Sequence, residues 1–72
     1  MVYTIRIPKN TLVMCVSDNT IGNLDFKNPL ETDAEYRPDE GLFYFTCTTI
    51  DGRTREFCVS DDAIHVLNKD NN

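Results

Sequence analysis

His65 is the only histidine in the chain, and two carboxylates, Asp61 and Asp62, stand four and three residues before it. On a helix the three would share a face, an arrangement that suits a metal ion or a base with its orienting acid. The constellation stops there. No second histidine exists, and no cysteine or glutamate lies beside it at ligand spacing. The chain therefore carries no expected metal site. Nucleophiles are equally sparse. Ser17 and Ser60 are the only serines, and neither sits in a G-x-S-x-G elbow. Cys15 or Cys58 could partner His65, but nothing supplies the basic neighbourhood or helix N-terminus that makes a thiolate. No carboxylate pair has the apolar flanks that would raise a pKa. Gly22, Gly41 and Gly52 are isolated, so no phosphate-cradling loop is present. The expectation is a non-catalytic protein without a cofactor.

Charge points toward contact with a partner. Twelve acids against seven bases leave −5, which argues against nucleic-acid backbone and anionic membrane as partners. Most of the excess lies in one segment, Glu31-Thr-Asp-Ala-Glu-Tyr-Arg-Pro-Asp-Glu40, with five acids and one base. Its candidate partner-binding residues are Glu31, Asp33, Glu35, Asp39 and Glu40, with Tyr36 as an aromatic anchor for a protein of basic surface. A sharper version has these acids imitate DNA phosphates, which needs carboxylates spread over one rigid face. Two alternatives remain. A structural, self-associating β protein would pair an exposed hairpin edge with its own copy, with Phe43, Tyr44 and Phe45 at the interface. A small nucleic-acid-binding β-barrel would use Arg53 and Arg55 near aromatic strands.

The elements that must position these residues read as strands. Phe43-Tyr-Phe-Thr-Cys-Thr-Thr-Ile and Arg53-Thr-Arg-Glu-Phe-Cys-Val59 flank Asp51-Gly52, a strong two-residue hairpin signal. With that pair at the turn centre, one face carries Tyr44, Thr46, Phe57 and Val59. The other carries Phe43, Phe45, Cys47 and Cys58, and Cys47 opposes Glu56. Cys47 and Cys58 are then diagonal neighbours beyond comfortable disulfide reach, and free thiols are expected. Val2 to Val16 reads as a first hairpin turning at Lys9-Asn10. Tyr3 then faces Val16, Ile5 faces Met14 and Ile7 faces Leu12, all on one buried face.

Residues 17–41 read as a long irregular insertion. Within it, Asn28-Pro-Leu-Glu31 has the form of a helix start, with Leu30 and Ala34 on one face of a short helix or structured loop over 28–36. Ser60 can cap a helical turn at Asp61-Asp62, and Ala63 to Leu67 fits a closing strand better than a helix. Residues 69–72 read as a frayed polar tail. The sum is one domain over 1–68, mainly β: a small barrel or strongly curled antiparallel sheet, SH3-like by architectural analogy, with one or two short helical turns. The alternative is an α+β domain. Three cysteines without a C-x-x-C pair suggest a reducing, cytoplasmic setting, and neither a leader nor a membrane span is evident.

Overall fold

The computed structural model of the chain describes residues 2–23, 29–49 and 51–70. Among these residues seven strands make one antiparallel sheet: β1 (Val2–Ile7), β2 (Leu12–Cys15), β3 (Thr20–Asn23), β4 (Leu30–Arg37), β5 (Leu42–Thr48), β6 (Thr54–Ser60) and β7 (His65–Asp70), with one 3-10 turn at Asp61–Ala63. Their order across the sheet is β3-β2-β6-β5-β4-β1-β7, so β3 and β7 are the edges and the sheet is not closed into a barrel. It is nevertheless curled. Four inter-strand steps separate β2 from β1, roughly 19 Å in a flat sheet. The link from Ile7 to Leu12 spans only about 17 Å at full extension and contains a turn, with Asn10 at φ 67°. The two strands therefore face each other across the core instead of lying far apart in one plane.

That core is one cluster. Ile5, Ile7, Val13, Cys15, Ala34, Phe43, Phe45, Phe57, Val59 and Ile64 are buried, with Tyr3, Leu30, Tyr36, Cys47 and Ala63 packed against them. No residue with a polar or charged side chain is buried among the described residues. Strand alternation accounts for this, since residues of one parity reach the inner face and those of the other face outward, where the apolar Cys58 is also buried.

The expected first hairpin does not form. β1 pairs with β4 and β7, whereas β2 pairs with β3 and β6. Ile5 and Ile7 are buried as anticipated, but β2 turns Val13 and Cys15 inward and leaves Leu12 exposed. Both parities of Leu-Val-Met-Cys are apolar, so the pattern alone does not say which side is buried.

The β5–β6 hairpin forms with a register one residue away from the expected one. Phe43 pairs with Val59, Phe45 with Phe57, and Cys47 with Arg55 rather than Glu56. The turn is longer than two residues. Gly52 N–H donates to Thr49 O at 2.9 Å and Thr49 N–H donates to Arg53 O at 2.9 Å, with Gly52 at φ 84°. This is a turn followed by a left-handed glycine, the next most common hairpin closure. The shift gathers Phe43, Phe45, Phe57 and Val59 on one face and sends Cys58 to the other. The three cysteines are free, and Cys47 and Cys58 are kept apart by lying on opposite faces rather than on a diagonal.

The stretch read as irregular contains β3 and β4. The short helix is replaced by a strand from Leu30 onward, and its proposed cap, Asn28, lies outside the described residues. Leu30 and Ala34 do share a face, because a spacing of four satisfies the strand period as well as the helical one. At the C-terminal end the turn-then-strand reading matches. Ser60 makes no side-chain cap; its hydroxyl donates to Asp62 Oδ1 at 2.6 Å. Lys69 and Asp70 belong to β7 rather than to a tail, and residues 71–72 lie outside the described ones. No helix among the described residues is long and apolar enough to cross a membrane.

Candidate functional site

β4 positions the acidic segment. Its inner parity, Leu30, Thr32, Ala34 and Tyr36, is buried or half-buried, while Glu31, Asp33 and Glu35 are exposed. Alternation puts these three carboxylates in a line along one strand, about 6.8 Å from one to the next. The neighbouring strands complete the surface. Glu31 lies opposite Arg6, Asp33 opposite Thr4, and Glu35 between Val2 and Tyr44. A shallow depression of about 230 Å³ on this face is lined by Asp33, Glu35 and Glu56, with Val2, Tyr44 and Thr46 among its other walls. Glu56 enters through its pairing with Thr46. The sequence reading missed it, because the one-residue register error moved Glu56 to the other face of the hairpin.

The line of carboxylates is partly compensated. Arg6 Nη2 and Nε donate to Glu31 Oε2 at 2.9 and 3.1 Å. Thr4 Oγ1 donates to Asp33 Oδ1 at 3.1 Å. Arg37 approaches Glu35 at 3.7 Å while its guanidinium lies 3.8 Å above the Tyr44 ring. These are exposed contacts of the kind that contribute little to stability, so a partner can replace them at small cost.

The six candidate residues are therefore divided. Glu31, Asp33 and Glu35 share the outer face. Asp39 and Glu40 sit in the β4–β5 turn, where Gly41 N–H donates to Arg37 O at 2.9 Å and Gly41 adopts φ 70°. Glu40 leans back toward the outer face and accepts a hydrogen bond from the Tyr44 hydroxyl. That bond, followed by burial, raises the Tyr44 pKa. Tyr36 lies on the opposite face. Its ring stacks on Phe43 at 4.6 Å and its hydroxyl donates to Asp61 Oδ2 at 2.8 Å, which raises its pKa. It does not serve as the anchor of the acidic face.

Other candidates are not brought together. His65 stands exposed on β7 opposite Arg6, Asp61 is engaged by Tyr36, and Asp62 by Ser60. Among the described residues no group of three or more His, Cys, Asp or Glu side chains is placed to hold a metal ion. Arg55 is tied to Asp18 at 3.1 Å and to Asp51 at 2.8 Å. Asp51 also accepts hydrogen bonds from the Thr49 hydroxyl and the Arg53 N–H, which lower its pKa. Arg55 is thus held in a local network at the hairpin tip, while Arg53 is exposed; Ile50 lies outside the described residues. Phe43 and Phe45 are core residues, 3% exposed each, and are not available as an association surface. The chain matches no family model, no curated protein and no solved structure.

Proposed function

We propose that this protein is a non-catalytic binding module, a small regulator or inhibitor that acts by placing the outer face of its sheet against a basic surface of a partner protein. The observation that carries the reading is the in-line exposure of Glu31, Asp33 and Glu35 on a strand held by neighbours on both sides. A rigid row of like charges held by weak, exposed ion pairs is suited to steering and registering a cationic partner. Asp39 and Glu40 extend the row at the turn. Imitation of duplex DNA is the less favoured form of this reading, since a duplex presents two lines of phosphates and β4 presents one, with Glu31 and Glu35 already facing arginines. Nucleic acid as the partner is disfavoured by the acidity of this face and by the engagement of Arg55. The free cysteines support a reducing, cytoplasmic setting.

Capture from cell lysate tests this, comparing the wild type with an E31Q/D33N/E35Q variant. The expected result is a partner retained by the wild type, lost by the variant, and released as salt rises. A partner held equally by both proteins overturns the site. Self-association is the second reading, favoured by one edge. β3 is short, uncharged and without a bulge; its Ile21 is 70% exposed beside the 64% exposed Leu12. β7, by contrast, carries a register shift opposite Thr4 and Ile5, a device that blunts an edge. The same comparison separates the readings, because self-association would leave both proteins without a captured partner.

A further inference from the structure

On the side of β4 away from the carboxylate line, three aromatic rings meet, two of them stacked and the third perpendicular to the stack. Tyr36 and Phe43 stack with centroids 4.6 Å apart and an interplanar angle of 30°. Tyr3 stands nearly perpendicular to both, at 88° and 87°, with centroid distances of 6.0 and 5.7 Å. Because these two distances are so similar, Tyr3 lies beside the stack and not on top of it, and the rings enclose a corner. The corner opens into a pocket of about 290 Å³ lined by Tyr3, Tyr36, Phe43, Asp61 and Val66. Asp61 is exposed at its rim, with one carboxylate oxygen fixed by the Tyr36 hydroxyl at 2.8 Å. Asp62 follows it in the same 3-10 turn.

We propose that this aromatic corner, with the Asp61 carboxylate at its rim, binds a methylated or quaternary ammonium group. The faces of tyrosine and phenylalanine attract cations through the ring quadrupole. A methylated ammonium suits this site better than its competitors. Its charge is spread over apolar methyl groups, which the rings and Val66 can cover. A bare ammonium would have to exchange its hydration for several acceptors, and the corner offers one carboxylate and phenol oxygens. A guanidinium would ask for a bidentate carboxylate, and one oxygen of Asp61 is already engaged. The site lies on the face opposite Glu31, Asp33 and Glu35 and does not depend on the partner reading above.

The test is a titration of the isotope-labelled full chain with tetramethylammonium chloride at constant ionic strength, followed by amide chemical shifts. Saturable shifts centred on Tyr3, Tyr36, Asp61 and Val66 are expected. The neutral isostere of choline, 3,3-dimethylbutan-1-ol, should produce none. Y36L should weaken binding by about two- to thirtyfold, the range between exposed and desolvated cation–π contacts, and D61N should weaken it by removing the rim charge. Y36F retains the ring, guards against misfolding of Y36L, and should keep the site. Choline and a trimethyllysine peptide then distinguish a free small molecule from a modified protein side chain, and tighter binding of either is consistent with the shared chemistry. Absence of saturation, equal binding of the neutral isostere, or unchanged affinity in both folded D61N and Y36L overturns the proposal.

Discussion

The two faces of the sheet obey different physics, and β5 shows it within neighbouring residues. Phe45 points inward, 3% exposed, and stacks on Phe57 at 5.7 Å. Thr46, the next residue, points outward opposite Glu56. The inner face is a continuous apolar cluster drawn from five strands and Ile64, with no buried side-chain nitrogen or oxygen left without a partner among the described residues. The outer face is a set of exposed pairs: Arg6 with Glu31, Arg37 with Glu35, Tyr44 with Glu40. Stability resides in the first and is nearly independent of the second. In a small domain that division leaves the outer face free to vary without endangering the fold.

The sharpest way to break this comparison is to truncate adjacent residues of β5. Phe45→Ala should cost about 3–5 kcal/mol, a large part of the roughly 4–11 kcal/mol expected for a domain of this length. Thr46→Ala should stay within about 0.5 kcal/mol. Thermal or denaturant melts measure both, and equal losses would mean that the faces are not distinct.

An intermediate effect is expected at the turn that joins β5 to β6. Gly52 holds φ 84°, so Gly52→Ala should destabilise by about 1–2 kcal/mol through the left-handed conformation alone. Nothing stands within 4 Å of an added Cβ there. Close Phe45–Phe57 proton contacts should persist in NMR spectra of the variant. Their replacement by contacts between Phe45 and Cys58 would show that the glycine, and not the apolar face, determines the register.

The smallest effect lies on the outer face. A double-mutant cycle on Arg6→Met and Glu31→Gln should return a coupling of about 0.2–1 kcal/mol that fades with added salt. A coupling of several kcal/mol would make this face part of the stabilising framework and weaken its reading as a contact surface.

Some of the candidate site was legible in advance. The five acids of 31–40 were visible as a cluster, but their arrangement was not. As a loop or helix they would scatter; as β4, three of them align and Tyr36 is removed to the other side. The signal lay in the alternation of Glu31, Asp33 and Glu35 with Leu30, Thr32, Ala34 and Tyr36. It was obscured because Leu30 and Ala34 fit both periods and because Asn28-Pro29 resembles a helix start. The aromatic corner was not legible at all: Tyr3, Tyr36 and Phe43 come from three strands, and only the ladders β1–β4 and β4–β5 place them together.

What the amino-acid sequence determined by itself is local. β-branched and aromatic runs make strands, Asp51-Gly52 makes a turn, and Ser60-Asp-Asp makes a helical turn before a last strand. Each depends on residues within a few positions of one another. The tertiary structure decided which strands are neighbours. A period of two tells a strand which of its sides is apolar and nothing about the identity of its partner, so β1 and β2, joined by a short link, pair with different strands and meet only through the core. It also decided the register of β5 on β6. Stacking Phe45 on Phe57 and burying Val59 against Phe43 outweigh the tighter two-residue turn, because burying large apolar side chains is worth more than the difference between two acceptable hairpin closures.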